Sequence, residues 1–197
     1  MIASVLILTR EDWVRLGIKD DYGLHKGVYS LFPKIADDSS RDFLFADKGG
    51  DYNAKQILML SKREPAKPEV GSIVSKVIPE SFLMHDLYGF EIILNPVKRD
   101  SRTRKLIPII GKSDLLEWFK TKSPSWGFKT DEKTLMVLMS SVRKFKKGGN
   151  EITHNTATFK GQLEVTDRER FIHSFENGIG KAKSFGFGLL QIIPLQK

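Results

Sequence analysis

The sequence predicts an α+β fold made of two tandem ferredoxin-like (βαββαβ) domains, residues 1–82 and residues 83–197. In the second half, patterns typical of strands and helices follow one another in the order strand, helix, two strands, helix, strand. The first half repeats nearly the same order, except that no second helix is evident in it. At 197 residues the chain is long enough for two small domains, each with its own core.

The first domain is predicted to begin with a strand at Ala3 to Thr9, which is apolar and β-branched. Asp20 and Asp21 can cap a helix that Pro33 ends, and this helix places Tyr22 and His25 one turn apart on the same face. Three further strands are predicted, at Arg41 to Ala46, at Lys55 to Ser61 after a turn at Gly49 and Gly50, and at Ile73 to Ile78 after a loop at Pro65 to Pro68.

The second domain is predicted to contain two helices. Ser113 caps a helix that ends near Pro124, and Asp167 caps the last helix of the chain. Lys146 to Asn150 is rich in glycine and is predicted to form the turn of a long hairpin. The predicted strands are Tyr88 to Val97, Lys105 to Ile110, Leu135 to Phe145, Glu151 to Val165 and the apolar run Leu189 to Leu195, which is expected to be buried.

The composition excludes several classes of protein. The chain has no cysteine, which excludes disulfides, thiolate metal sites and a cysteine nucleophile. The opening MIASVLILT has no basic segment and too short an apolar run for a signal peptide. No later stretch approaches the roughly 20 apolar residues that span a bilayer. We therefore expect a cytoplasmic protein that does not associate with a membrane.

Basic residues are concentrated in one part of the chain. The net charge is +8, and residues 98–147 hold 14 basic and 5 acidic side chains, whereas residues 1–97 hold 12 and 14. Such a basic segment on an otherwise balanced chain is typical of a protein that binds a polyanion, although a solvated basic surface would have the same composition.

A stretch rich in glycine, GIGKAKSFGFGLL, lies near the C-terminus between a predicted helix and a predicted strand. Glycines at Gly178, Gly180, Gly186 and Gly188 allow sharp turns, and Lys181 and Lys183 lie between them. Backbone N–H groups and lysines at the edge of a sheet can bind a phosphate chain, but glycines before a strand also form simple corners. The stretch matches neither a Walker loop nor a dinucleotide fingerprint, so no nucleotide cofactor is predicted.

Four segments together resemble the CasE-type CRISPR repeat endoribonucleases of the repeat-associated mysterious protein superfamily. They occur in the same order along nearly the whole chain, and they are YGLHKGVYSLF (22–32), ILMLSKREP (57–65), FKGQLEVTD (159–167) and the glycine-rich stretch. The resemblance implies two ferredoxin-like domains and cleavage of CRISPR repeat RNA at the base of a stem-loop. It also implies partners, namely the repeat stem-loop RNA and the other subunits of a type I-E Cascade complex.

The resemblance also implies which residues act. The catalytic histidine of the family corresponds to His25, and the tyrosine one turn earlier corresponds to Tyr22. The RNA-binding set implied by the resemblance and by the basic hairpins comprises Lys26, Arg102, Arg104, Arg143, Lys144, Lys146, Lys147, Gly178, Gly180, Lys181, Lys183, Gly186 and Gly188.

Histidine and tyrosine suit the chemistry of RNA cleavage. RNA carries its own nucleophile, the 2′-hydroxyl, so an enzyme needs to hold the chain in line and move two protons. The ordinary pKa of histidine, about 6.5, makes both of its forms available near neutral pH. The four histidines, His25, His85, His154 and His173, have no spacing typical of a metal site, so we predict neither a metal nor another cofactor.

Two rival functions remain open at this level. A pair of ferredoxin-like domains can also form a non-catalytic RNA-binding or scaffold subunit, because fold alone does not determine function. The presence of both Tyr22 and His25 favours the enzyme. An enzyme acting on a small molecule is disfavoured by the basic segment and by the absence of paired carboxylates.

Overall fold

A computed structural model describes residues 1–33, 41–51, 53–147 and 150–196, without the side chains of residues 143–147 and 150–153. The first domain contains four strands and two helices. Its elements are β1 (Ile2–Thr9), α1 (Arg10–Arg15), α2 (Asp21–Ser30), β2 (Phe43–Gly50), β3 (Ala54–Ser61) and β4 (Ser72–Val77).

The second domain begins after a 3₁₀ turn at Glu80–Leu83. Its elements are β5 (Leu87–Leu94), β6 (Val97–Arg99), β7 (Leu106–Pro108), α3 (Lys112–Lys122), β8 (Phe128–Thr130), β9 (Met136–Lys147), β10 (Asn150–Val165), α4 (Arg168–Asn177) and β11 (Gln191–Pro194). Further 3₁₀ turns are formed by Ser123–Trp126 and Lys183–Phe185.

Both sheets have the strand order of a ferredoxin-like domain. The first sheet has the order β2-β3-β1-β4, and every neighbouring pair is antiparallel. The second has the order β11-β5-β10-β8, and β9 extends the same edge by pairing with the earlier part of β10. In each sheet the first and third strands lie at the centre, with the second and fourth at the edges, which confirms the predicted fold class.

The first sheet is covered on both faces. Leu6, Ile57 and Met59 pack with α2 in one buried cluster, while Leu44 and Leu60 belong to the cluster of the second domain. Neighbouring side chains of a strand point to opposite faces, so β2 and β3 contribute to both clusters. The two domains are therefore joined by a continuous core.

The structure differs from the predicted elements of the first domain in two places. Thr9 and Asp12 form a capping box that starts α1, a helix too short to show a sequence period. The predicted turn at Gly49 and Gly50 is wrong, because Gly50 still pairs with Lys55 and the chain reverses only after it. The side chain of Asp51 accepts hydrogen bonds from the backbone of Asn53 and Ala54 and so forms that turn. Residues 62–71 contain no helix, as expected.

Three boundaries in the second domain also differ. The helix cap is Gly111 rather than Ser113, which lies within α3. The first long strand ends at Leu94, shortly before Pro96, and a short separate ribbon of β6 and β7 follows. The final strand is only Gln191–Pro194 at a sheet edge, where Ile193 is 71% exposed, while the preceding leucines are buried without pairing as a strand.

Among the described residues, no helix is both long enough and apolar enough to cross a lipid bilayer.

Candidate functional site

Helix α2 carries the predicted catalytic residues on the side that faces the glycine-rich stretch. Asp20 caps the helix by accepting a hydrogen bond from the backbone of Gly23 at 2.9 Å. Leu24 and Val28 are buried against the first sheet and fix the rotation of the helix. His25 is half-buried beside them, at the boundary between the core and the surface.

The imidazole of His25 is held by the glycine-rich stretch of the other domain. Its Nδ1 lies 2.7 Å from the backbone carbonyl oxygen of Ser184, 159 residues further along the chain. A carbonyl oxygen only accepts hydrogen bonds, so Nδ1 carries the proton and donates it. In the neutral ring, Nε2 then carries the free lone pair. In this tautomer, Nε2 can take a proton from a substrate.

Aromatic rings fix the plane of His25. The ring of Phe185 lies 5.2 Å from the imidazole between centroids at 29°, and that of Tyr29 lies 4.0 Å away. Tyr22 stacks on His25 at 5.8 Å and 12°. The amino group of Lys26 lies 4.5 Å from the centroid of the Tyr22 ring, within the range of a cation–π contact. The structure thus brings together the three site residues predicted on α2.

The glycine-rich stretch positions the Ser184 carbonyl. All four of its glycines, Gly178, Gly180, Gly186 and Gly188, have positive φ angles, between +75° and +85°. A Cβ at Gly188 would lie 2.2 Å from the carbonyl oxygen of Ile179, so only glycine allows this close approach of two backbone segments. At Gly186 a Cβ would lie 3.0 Å from the ring of Phe45 on β2. The stretch is therefore packed closely against the first domain.

The two lysines of this stretch have different surroundings. Lys181 is exposed beside the cleft described below. Lys183 is half-buried, and its amino group donates a 2.8 Å hydrogen bond to the carbonyl of Asn177 at the end of α4. Burial, and to a smaller extent the nearby charge of Arg41, lowers the pKa of Lys183 below its ordinary value.

The basic ribbon formed by β6 and β7 projects Arg102 and Arg104 into solvent. The side chain and backbone of Thr103 donate hydrogen bonds to Asp100 and hold the pKa of that carboxyl below its usual range. Arg104 has a φ of +59°, and its carbonyl accepts a hydrogen bond from Arg99. The tip of the ribbon is therefore ordered by its own hydrogen bonds.

The second predicted basic element is the hairpin of β9 and β10. Backbone pairing joins residue 143 to His154 and residue 147 to residue 150, so the hairpin extends as predicted. The side chains predicted to bind RNA there lie outside the described part of the structure, as do the two glycines of the turn; these side chains are Arg143, Lys144, Lys146 and Lys147.

An open cleft of about 550 Å³ lies between the ribbon, the hairpin and the glycine-rich stretch. Its walls are mainly apolar and are formed by Asn95, Val97, Leu106, Pro108, Ile110, Val142, His154, Asn155, Lys181, Ala182 and Phe185. The Phe185 ring lies 5.2 Å from His154 and also 5.2 Å from His25, between centroids. One aromatic side chain thus joins the cleft to the predicted catalytic histidine.

Sequence reasoning missed three groups at this site. The Ser184 carbonyl is a backbone atom, and no residue type signals its position. Phe185 and Tyr29 resemble ordinary core aromatics, although Tyr29 follows His25 by one helical turn on the same face, which was a usable signal. Among the described residues no three His, Asp or Glu side chains come together as metal ligands.

Several known proteins are similar to this chain over most of its length. A family model described as CRISPR associated protein matches residues 2–194. The Cascade subunit CasE of Escherichia coli (strain K12) is 29% identical over 99% of this chain and 100% of that protein. The CRISPR-associated endoribonuclease Cse3 of Thermus thermophilus is 29% identical over 53% of this chain and 54% of that protein. A solved structure of CRISPR endoribonuclease Cse3 bound to a 19-nucleotide RNA has a TM-score of 0.85 and 19% identity, covering 98% of this chain and 100% of that one.

Proposed function

Because this chain belongs to the family of CRISPR-associated proteins, we propose that it is an endoribonuclease that cleaves CRISPR precursor RNA at the base of the repeat stem-loop. After cleavage it stays bound to the RNA within a Cascade-type complex, like the Cascade subunit to which it is similar. The observation that carries this proposal is the imidazole of His25, which the Ser184 carbonyl and the surrounding rings hold in one tautomer and one orientation.

The reaction uses the 2′-hydroxyl of the RNA as its nucleophile. This oxygen attacks the adjacent phosphorus while the bond to the 5′-oxygen of the next nucleotide breaks. The products are a 2′,3′-cyclic phosphate and a 5′-hydroxyl. One group must remove the proton of the 2′-hydroxyl, and one must protonate the departing oxygen.

His25 performs one of these proton transfers at Nε2, as base in its neutral form or as acid in its protonated form. Because Nδ1 remains bound to the Ser184 carbonyl, the ring does not have to turn during the reaction. Tyr22, one turn earlier, orients the 2′-hydroxyl or the phosphate through its own hydroxyl. Lys26 supplies positive charge near the phosphorane as negative charge develops there.

The stem is bound through its phosphates and its shape. The major groove of A-form RNA is deep and narrow, so side chains cannot easily read bases within it. A projecting basic ribbon is suited to contact the backbone instead. The exposed arginines of the β6–β7 ribbon, Arg102 and Arg104, and the basic β9–β10 hairpin supply these contacts.

The test of the catalytic role is cleavage of a stem-loop repeat RNA by His25→Ala. We expect the rate to fall by a factor of roughly 10² or more while the affinity for the uncleaved RNA changes little, because only proton transfer needs the imidazole. His85→Ala is the matched control, since His85 is exposed and distant in sequence. Cleavage by His25→Ala at the wild-type rate would remove His25 from the mechanism, and binding without cleavage by the wild type would favour a scaffold subunit.

The same assay tests the independence from metal ions. We expect cleavage to persist in excess EDTA, because the nucleophile and the proton-transfer groups need no metal. A 2′-deoxy nucleotide just before the scissile phosphate should abolish cleavage. Loss of activity in EDTA that Mg²⁺ restores would show a metal-dependent route instead.

A further inference from the structure

Arg41 lies two residues before β2, and its Nε atom is buried without a hydrogen-bond partner among the described residues. The adjacent carboxylate, Asp42, is 2.5 Å from Nε of Arg63 and is therefore already paired. A buried donor of a charged group without a partner is unfavourable. Among the described residues, the guanidinium of Arg41 thus has no carboxylate that offsets its charge.

Lys183 is a second cation near the start of β2, because the 3₁₀ turn Lys183–Phe185 contacts that strand. Its pKa is lowered mainly by burial and to a smaller extent by the positive charge of Arg41, and its amino group donates a hydrogen bond to the neutral carbonyl of Asn177. In the described part of the chain, neither Arg41 nor Lys183 forms an ion pair with an acidic side chain. Two partly buried like charges without an anion destabilise a fold, so their proximity points to a bound anion.

Residues close to Arg41 and Lys183 in the chain contact His25 or its neighbour Tyr29. Lys183 directly precedes Ser184, whose carbonyl binds His25. On the other side, the ring of Phe43, two residues after Arg41, contacts Tyr29 at 4.9 Å, and Tyr29 contacts His25. The start of β2 and the glycine-rich stretch are in contact here through Phe45 and Gly186. An anion between the two cations would therefore lie close to the proton-transfer group.

We propose that Arg41 and Lys183 form a binding site for a phosphodiester group of the RNA at the point of cleavage. This inference rests on the proposed function. A guanidinium donates two parallel hydrogen bonds to phosphate oxygens, and an ammonium with one of its three donors engaged retains two for the same ligand. Positive charge at this point stabilises the phosphorane more than the starting diester, because the negative charge on its oxygens increases during the attack.

The test is cleavage under single-turnover conditions, with protein in saturating excess over a stem-loop RNA. We expect Arg41→Ala to cleave roughly 10- to 100-fold more slowly than the wild type. Arg41→Lys should lose less of the cleavage rate, because lysine keeps the positive charge although it lacks the planar guanidinium group. Added guanidinium ion should restore part of the Arg41→Ala rate by occupying the position of the missing side chain.

The matched control is Lys62→Ala. Lys62 is exposed, and its backbone N–H donates to the carbonyl of Asp42, so it is a cation on the same edge of the sheet. Lys62→Ala should cleave the RNA at a rate within about twofold of the wild-type rate, as expected for the loss of an exposed charge. Equal losses in Lys62→Ala and Arg41→Ala, or an Arg41→Ala rate within about twofold of the wild type, would overturn the phosphate site.

Two further measurements distinguish a failure of this inference from a folding defect and from a failure of the proposed function. A lowered melting temperature of Arg41→Ala, together with no restoration by guanidinium, would assign Arg41 a structural role and overturn the proposal. With a 2′-deoxy RNA, which cannot be cleaved, Arg41→Ala should flatten the slope of log K against log salt by about one unit. This binding test applies even if the wild type proves not to cleave RNA, and an unchanged slope would count against the site.

Discussion

The orientation of His25 depends on contacts from both domains. The Ser184 carbonyl fixes its tautomer, and Phe185 and Tyr29 fix its plane. Each of these contacts is weak by itself, but together they restrict the rotation of the ring. A ring that is already restricted loses less conformational entropy when the substrate binds. At the scale of single residues, the structure therefore holds His25 in one orientation, as its proposed catalytic role requires.

Phe185 offers a test of this orientation. We expect Phe185→Leu to cleave about 3- to 10-fold more slowly at saturating protein, because an aromatic pair stabilises an arrangement by about 0.5–1.5 kcal/mol beyond its buried area. Phe185→Tyr keeps the ring and should retain most of the rate. The measurement is single-turnover cleavage. If the leucine and tyrosine variants cleaved equally fast, the ring would have no part in positioning His25.

At the scale of elements, the glycine-rich stretch is the segment on which the site depends. It turns back between α4 and β11 and contacts β2 of the other domain through Gly178 and Gly186. A Cβ at Gly178 would lie 2.8 Å from the side chain of Leu44. The glycines thus allow two domains to approach closely enough for a backbone carbonyl to reach His25.

Two glycines of this stretch should respond differently to alanine. At Gly188 the new Cβ would lie 2.2 Å from a backbone oxygen, whereas at Gly180 the nearest atom would be 3.5 Å away. Both positions have positive φ, so each variant should lose roughly 1–3 kcal/mol of unfolding free energy from backbone strain. Gly188→Ala should lose roughly 2 kcal/mol more, because a backbone segment must also move. Equilibrium unfolding in urea measures the difference, and equal losses would contradict this account of the close approach.

At the scale of the whole molecule, the two domains share one core and one site. Leu44, Ala46 and Leu60 of the first sheet pack into the buried cluster of the second domain. The first domain provides His25 and the second provides Ser184, so the site forms only when the domains are docked. The basic segment of residues 98–147 belongs entirely to the second domain, which suits that domain to the proposed binding of the stem, while the first provides the proposed proton-transfer group.

The position of the RNA on the molecule can be tested through salt dependence. If Lys144 and Lys146 lie along the stem, their replacement by alanine should flatten the slope of log K against log salt by about 1 to 2 units, because fewer counterions are released on binding. The same change should weaken different stem sequences about equally. Filter binding over a range of salt concentrations measures both effects.

The control for this experiment is a pair of exposed lysines in the first domain, Lys67 and Lys76. Lys48 and Lys55 are less suitable, because Lys48 is paired with Glu91 and Lys55 lies over the ring of Trp13. Replacement of Lys67 and Lys76 should leave the slope nearly unchanged. A slope reduced equally in both double variants would show that the hairpin is an ordinary solvated surface, and the ribbon that carries Arg102 and Arg104 would be tested next.

The sequence by itself determined the features that depend on local patterns. The strand and helix periods, the caps at Asp20 and Asp167 and the alternation of elements predicted two ferredoxin-like domains, and the observed strand orders agree. The turn of α2 placed Tyr22 and His25 together, because a spacing of three residues defines one helix face. Short elements such as α1 and β8 were missed, because a few residues are too short a segment for a hydrophobic periodicity to be detected.

Only the tertiary structure decided how the site is completed. The contacts of His25 with Ser184 and Phe185, and the contact of the Lys183–Phe185 turn with β2, join residues that are distant from each other in the chain. No local pattern encodes such a pairing, because it depends on how two domains dock and on how closely the glycines let their backbones approach. A buried arginine atom without a partner among the described residues likewise becomes visible only when its neighbours are in place, because burial is a property of the packed molecule.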